Sequence, residues 1–223
     1  MYAKPIFRDR ADAGRRLAIR VAESVYDSDA LVLGLPRGGV PVAFEVARAL
    51  HAELDVFLVR KLGLPGHEEL AVGAIASGGV RVLNEPLVAQ LQLAPKLIDQ
   101  IAQHEKHELK RREERYRQGR PPVPIGNRTV ILVDDGLATG SSMKAAAQAV
   151  RLQGPKRLVV AVPVAAQQTC DQFHMVADEI VCAYTPEPFV AVGIWYEDFS
   201  QTSDEEVERL LKEAAQEHSA HLT

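Results

Sequence analysis

Cysteine is almost absent from this chain: only Cys170 and Cys182 occur, outside any C-x-x-C spacing. That rules against a disulfide-dense scaffold and a cysteine zinc site, and it fits a reducing cytoplasm. Basic charge is not in excess, with 26 Lys plus Arg against 30 Asp plus Glu and a net charge of -4, so the electrostatics give no footprint for DNA, RNA or an anionic membrane. Long apolar runs are missing too. The longest, Leu158 to Ala166, falls far short of the roughly 18 residues a membrane-spanning helix needs. The N-terminal stretch MYAKPIFRDRADAGRRLA has no apolar core of the signal-peptide kind, so the expectation is a soluble, cytoplasmic protein. No internal repeat is visible. What remains is ordinary globular material, 223 residues with 47% apolar and 25% charged side chains, enough for one domain with added elements or two small ones.

Periodicity divides the chain into alternating strands and helices. Asp9 can cap a helix whose apolar positions Leu17, Val21 and Val25 recur at helical spacing, with the run ending near Ser28. Residues 30–34 (ALVLG) read as a buried strand, PRGG as a loop, Val40 to Leu50 as a helix, and Leu54 to Val59 as a second strand of continuous apolar character. Such strands belong to sheets covered on both faces. AVGAIA and VRVL, separated by Ser77-Gly78-Gly79, read as a hairpin. The stretch before it is read as a long loop, and loops beyond about 12 residues are usually functional or disordered. Pro95 to Gln118 is the most polar helical stretch, a solvated face laced with i,i+4 pairs, and the Pro-rich 119–127 segment ends it. Strands at 128–133, 157–162 and 179–182 then alternate with helices at 142–152 and 165–173, before a C-terminal helix with Ser203 and Glu206 as a capping box. The pattern predicts an α/β fold with a mostly parallel twisted sheet and helices on both faces.

The segment Thr129 to Met143, TVILVDDGLATGSSM, carries the chemistry. A buried strand runs into two acids, then a turn rich in Gly and hydroxyls, then a helix. At the carboxyl end of a parallel strand Asp134 and Asp135 would project into the crevice where open α/β sheets bind ligands, and paired carboxylates there accept hydrogen bonds from vicinal ribose hydroxyls. Thr139, Gly140, Ser141 and Ser142 offer backbone N–H groups and hydroxyls at a helix N-terminus, where the dipole favours a phosphate. Together they form a cradle for ribose 5-phosphate. A nucleotide-hydrolase loop is poorly supported, because Ser141 follows Gly140 where that motif needs lysine, and no G-x-G-x-x-G occurs.

Val130 to Ser142 resembles the phosphoribosyl pyrophosphate (PRPP) motif of the type I phosphoribosyltransferases: four apolar residues, two acids, and a short loop ending in T-G-[ST]-[ST]. The resemblance implies that Asp134 and Asp135 hold the ribose hydroxyls and that Ala138, Thr139, Gly140, Ser141 and Ser142 hold the 5-phosphate. LGLPRGGVPVAFEVARAL at 33–50 is similar to the pyrophosphate loop of bacterial xanthine-guanine enzymes. It implies that Arg37 faces the pyrophosphate while Gly38 and Gly39 allow unusual backbone geometry and close approach of amides to anionic oxygens; the plainer alternative is a strand-to-helix turn with a surface arginine. Arg60 to Leu70 sits where the family carries a flap that closes over PRPP, so Arg60 and Lys61 become candidates for the leaving pyrophosphate, and Glu68 or Glu69, with Glu69 preferred, for a carboxylate near the reacting centre.

The acceptor is read from what departs from the family pattern. Ala138 stands where enzymes for 6-oxopurines carry an Asp, as in adenine and orotate enzymes, and Ala165 and Ala166 stand near where those enzymes carry a lysine. EPFVAVGIWYEDF resembles the family's hood segment and implies Phe189 as a stacking partner of a base, with Trp195 lining the same pocket. His104 and His107 lie i,i+3 on the charged helix without an indicated third ligand, and His51, His67 and His174 take no assignment. The chain is read as one domain, 1–223, with a helical insertion at 84–126 and a hood segment and C-terminal helix at 184–223. The resemblance implies an enzyme that transfers the phosphoribosyl group from PRPP to a nitrogenous base, with Arg37, Lys61 and Glu69 catalytic and with Mg2+ bound through the substrate near Asp134 and Asp135. The expected partners are PRPP and a small-molecule acceptor, with assembly as a homodimer and no nucleic acid or membrane. The alternative is a PRPP-binding regulatory module without turnover.

Overall fold

A computed structural model describes residues 4–221, with the side chains of Glu68 and Glu69 outside the described set. In chain order the elements are α1 (Arg10–Ala22), β1 (Leu31–Gly34), α2 (Gly39–Leu50), β2 (Glu53–Val56), β3 (Val59–Leu64), β4 (His67–Ala76), β5 (Val80–Leu83), α3 (Glu85–Gln90) and α4 (Pro95–Arg117). They continue with β6 (Thr129–Val133), α5 (Ser141–Arg151), β7 (Arg157–Val164), α6 (Gln167–Gln172), β8 (Glu179–Tyr184) and α7 (Asp204–His221). Asp9 caps α1 as expected, its carboxylate accepting from the Asp12 N–H at 2.7 Å. Ser203 likewise caps α7, accepting from the Glu206 N–H at 3.1 Å. Among the described residues no helix is long and apolar enough to cross a membrane.

Five strands form one parallel sheet in the order β2-β1-β6-β7-β8. Every inner strand is apolar on both faces, and successive residues separate to opposite sides as a strand period of two requires. Val32, Ile131, Val133, Val159 and Ala161 pack toward α1, α2 and α7. Leu31, Leu33, Val130, Leu132, Leu158 and Val160 pack toward α5 and α6. The mostly parallel α/β architecture is thus present, with helices on both faces.

Residues 60–70 depart from the expected loop, while the expected hairpin of 71–76 with 80–83 is present. The stretch 60–70 is a hairpin, β3 paired antiparallel to β4 and closed around Pro65 and Gly66, and β5 adds a third strand. The Gly and Pro content suggested a loop, but Leu62, Leu64, Val72 and Ile75 share a core with Ala102 and Leu109 of α4, and that burial selects strand. The opposite face meets the other core through Val59, Val80 and Val82. The small sheet is therefore held between α4 and α5.

The cysteines need a correction. Cys170 on α6 and Cys182 on β8 are joined in a disulfide. Their sequence spacing gave no hint because the pairing is made by the fold: β8 returns parallel to β7 on the side where α6 packs. A reducing compartment, expected from unpaired thiols, loses that support.

One buried ion pair fixes α4 to the edge of the large sheet. Arg117 donates from Nε to both carboxylate oxygens of Asp55 at 3.0 Å and from Nη2 to the Val56 carbonyl at 3.2 Å, and both residues are buried. Asp55 also accepts from the N–H groups of Val56 and Val123, so its lone pairs are well used. Asp55→Ala would leave the buried guanidinium with Glu113 of its own helix, 3.2 Å from Nη1, as its remaining carboxylate, and removing one partner of a buried pair typically costs about 3–5 kcal/mol. Urea unfolding is expected to register a loss of that order, whereas a change under about 0.5 kcal/mol, the range of surface substitutions, would contradict the assignment.

Candidate active site

β1 and β6 are neighbours, yet the chain continues from β1 to β2 on one side and from β6 to β7 on the other. Where strand order reverses in this way the loops after the two strands part, and a crevice opens outside their carboxyl ends. The β1 loop carries Arg37, Gly38 and Gly39, and the β6 loop carries residues 134–140. The sequence-predicted ribose, phosphate and pyrophosphate segments therefore meet at one switch point.

The β1 loop is pressed against the acids. A Cβ at Gly39 would stand 2.8 Å from the Val133 carbonyl oxygen, and one at Gly38 would stand 2.1 Å from Asp135 Oδ2. Gly38 itself has an ordinary helical φ of -61°, so what glycine supplies there is room and not a special dihedral. The Pro36–Arg37 peptide is cis. Arg37 lies at the rim, its Nη1 3.9 Å from Asp204 Oδ1 at the start of α7. Asp204 in turn accepts from the Tyr116 hydroxyl and from Arg115 Nη1, each at 2.6 Å.

In the β6 loop Asp134 Oδ1 accepts from the Asp135 N–H at 2.9 Å. Burial pushes both carboxyl groups upward. For Asp134, well above the usual carboxylate range, repulsion from Asp135 adds to the burial. At Asp135 the Arg10 guanidinium opposes the rise. Arg10 Nε donates to Asp135 Oδ2 at 2.9 Å in a largely buried ion pair. Thr139 and Ser141 share a hydroxyl contact at 3.1 Å, while Ala138, Thr139, Ser141 and Ser142 are exposed toward solvent. Gly140 adopts a left-handed φ of 69° immediately before α5, with Phe173 close beneath it, and Thr169 Oγ1 donates to the Ala138 carbonyl at 2.9 Å. α6 therefore backs a loop whose open side presents the N-terminus of α5, a site suited to an anion.

Other sequence candidates fare unevenly. Arg60 is not available as expected: its Nε donates to Glu105 of α4 at 2.7 Å. Lys61 is exposed, and strand alternation puts it on the face opposite Arg60 and Leu62. The side chain of Glu69 lies outside the described residues. Phe189 stacks on Trp195 with ring centroids 6.4 Å apart. Trp195 itself is buried beside Phe7 and Tyr196, and among the described residues its indole nitrogen has no hydrogen-bond partner.

Four residues at or behind the site escaped the sequence reading: Arg10, Tyr196, Thr169 and Asp204. Arg10 lies 125 residues from its acid, and a lone arginine after a helix cap carries no signal. Tyr196, whose hydroxyl donates to the Asp135 carbonyl at 2.6 Å, stood within the hood segment already singled out.

The fold and the loop cluster define an α/β protein with a crevice at its switch point, bordered by an acid pair, a glycine loop and a helix N-terminus. A family model described as the phosphoribosyl transferase domain matches residues 6–183. A Mycobacterium tuberculosis protein, provisionally named a phosphoribosyl transferase in strains CDC 1551 and H37Rv, is 49% identical over 209 residues. That match covers 94% of this chain and 47% of the relative, so the chain spans about half the length of the curated relatives it matches. The crystal structure of TT1426 from Thermus thermophilus aligns with a TM-score of 0.82 at 46% identity, covering 93% of this chain and 98% of that one. The chain belongs to the phosphoribosyl transferase domain family.

The elevated carboxyl of Asp134 has a consequence for stability. An acid whose folded-state pKa lies above its unfolded value of about 3.9 is neutral in both states at lower pH, and it imposes a cost on folding as pH rises past that value. Asp134→Asn removes the cost and keeps an oxygen for the Asp135 N–H. Thermal melts without ligand or metal are expected to show this variant more stable than the parent at neutral pH, with the gap closing near about pH 3, below the unfolded value; equal or lower stability at neutral pH would contradict it.

Proposed function

We propose that the chain transfers the 5-phosphoribosyl group of PRPP to a nitrogenous base. In the reaction a ring nitrogen of the base forms a bond to C1 of the ribose, the C1–O bond to pyrophosphate breaks with its electron pair, and the proton on the attacking nitrogen is lost. The observation that carries this reading is the meeting of an acid pair, a glycine loop and a helix N-terminus at the β1/β6 switch point. Asp134 and Asp135 are assigned to the ribose hydroxyls, residues 138–142 to the 5-phosphate, and Arg37 with the amides around Gly38 and Gly39 to the pyrophosphate. Lys61 is assigned to the leaving group from the small sheet, Glu69 to a carboxylate near the reacting centre, and Phe189 and Trp195 to the acceptor.

Among the described residues no three or more His, Cys, Asp or Glu side chains are grouped to hold a metal ion. The two acids fit the way Mg2+ is usually carried, by one or two carboxylates plus substrate phosphates. Mg2+ would be bound mainly by the substrate's pyrophosphate and ribose oxygens, with Asp134 and Asp135 assisting through hydroxyls or water, and when bound it offsets the charge of the departing pyrophosphate. The chain's own share is electrostatic: Arg37, Lys61 and loop amides stabilise charge that grows as the C1–O bond lengthens. Removing one such donor typically costs about 10²- to 10³-fold in rate.

Calorimetry with Mg-PRPP and pyrophosphate release with a panel of bases test this reading. Asp134→Ala combined with Asp135→Ala is expected to abolish PRPP binding with the fold retained by circular dichroism; undiminished affinity would overturn the assignment. Pyrophosphate release that depends on one base supports transfer, whereas tight PRPP binding with no release for any base would favour a regulatory module. Lys61→Ala should lower turnover far more than PRPP affinity, because a contact made to growing charge contributes mainly in the transition state. Equal losses would mark Lys61 as a ground-state phosphate anchor.

A further inference from the structure

Arg10 stands where three parts of the molecule converge. Its Nε donates to Asp135 Oδ2 at 2.9 Å, its Nη1 donates to the Ser200 carbonyl at 2.6 Å, and its guanidinium carbon lies 4.0 Å from the centre of the Phe199 ring. A Cβ at Gly38 would stand 3.2 Å from Arg10 Nε, so the same cation also borders the pyrophosphate loop. Phe199 continues the contact into the hood, packing on Tyr196 at 5.0 Å between centroids and closing against Gly193. Tyr196 returns to the acid through its hydroxyl on the Asp135 carbonyl, and the backbone of Trp195 is held by the N–H groups of Ile6 and Phe7, just ahead of α1. A closed circuit results, from acid to arginine to hood and back to the acid.

We propose that Arg10 is a positioning residue that joins the PRPP site to the acceptor hood, so that the placement of Asp135 and the placement of the 196–200 turn form one unit. The inference rests on the phosphoribosyl transfer reading for what occupies each side, while the joint itself is a property of the free protein. A planar fork with several donors is what the position demands, since one edge serves the carboxylate, another serves the Ser200 carbonyl, and the face covers an aromatic ring. A lysine keeps the charge beside Asp135 but cannot hold both partners and the ring together.

Trp195 is the only tryptophan in the chain and gives the readout. Emission from Trp195 is recorded in the parent and in Arg10→Lys, free and with saturating Mg-PRPP, beside the calorimetric affinity for Mg-PRPP and acrylamide quenching of the free proteins. The parent is expected to change its emission on binding. The lysine variant is expected to bind but to lose most of the emission response, and to be quenched more readily when free. A merely stabilising role would lower the melting temperature and leave response and quenching as in the parent, and that result overturns the proposal. If the parent binds no Mg-PRPP the functional reading fails on its own, and the quenching comparison still decides the joint: greater access to Trp195 in the variant supports it, and equal access overturns it. Should the variant not fold, Phe199→Leu replaces it, with the same loss of response supporting the link and parental response overturning it.

Discussion

Two carboxylates adjacent in sequence at the carboxyl end of a central strand are an electrostatic burden, and much of the surrounding structure answers it. Burial raises the free energy of each charge, and each charge raises that of the other. The protein meets this unequally. Asp135 receives Arg10, while among the described residues the hydrogen bond given to Asp134 is that of its neighbour's N–H. The pair is thereby divided into a member committed to an ion pair and a member whose charged form is disfavoured until something with hydrogen-bond donors arrives. A site left partly unsatisfied in this way costs stability when empty, and the cost is returned by a ligand that supplies the missing donors.

The large sheet explains why this burden can be borne at all. Its inner strands sort their side chains into two dry cores by simple alternation, so the strand ends are held rigidly and the loops that follow can carry strained or charged residues. The switch between β1 and β6 then brings two loops together, each anchored in the core by one leucine, Leu35 and Leu137. α6 supports the β6 loop from beneath through Thr169 and Phe173, and the disulfide at Cys170 ties that support to the edge strand.

How much of this could be read from the chain depended on whether the signal was local. Strand apolarity, Asp9 and Ser203 as caps, and the run from Asp134 to Ser142 are local and are present in the fold, although α1 ends at Ala22 and not near Ser28, and the strand expected over 54–59 stops at Val56, with Val59 passing to the small sheet. The hairpin at 59–76 was missed because Gly63, Pro65 and Gly66 suggest a loop while the burial that makes a strand of the segment comes from α4, far along the chain. Arg60 was misjudged for the same reason, since its partner Glu105 lies on that helix. Arg10 and Asp204 were invisible because a long-range ion pair leaves no trace in spacing. Cys170 and Cys182 met through a strand crossover that no C-x-x-C rule describes.

The small sheet has a mechanical consequence. Its base is pinned at Ser77, whose N–H donates to the Leu58 carbonyl and whose hydroxyl accepts from the Leu58 N–H, both at 2.9 Å, while Gln153 donates to the Ser77 carbonyl. Because Lys61 rides on a strand paired through its backbone to Ala74, it cannot travel as a loop residue would. Any advance of Lys61 toward the crevice must carry the hairpin with it, as a lever whose fulcrum is at Ser77 and whose long arm ends at Gly66, so the resistance to that stroke is set by the apolar contacts with α4 and α5 and not by the residues that touch the ligand.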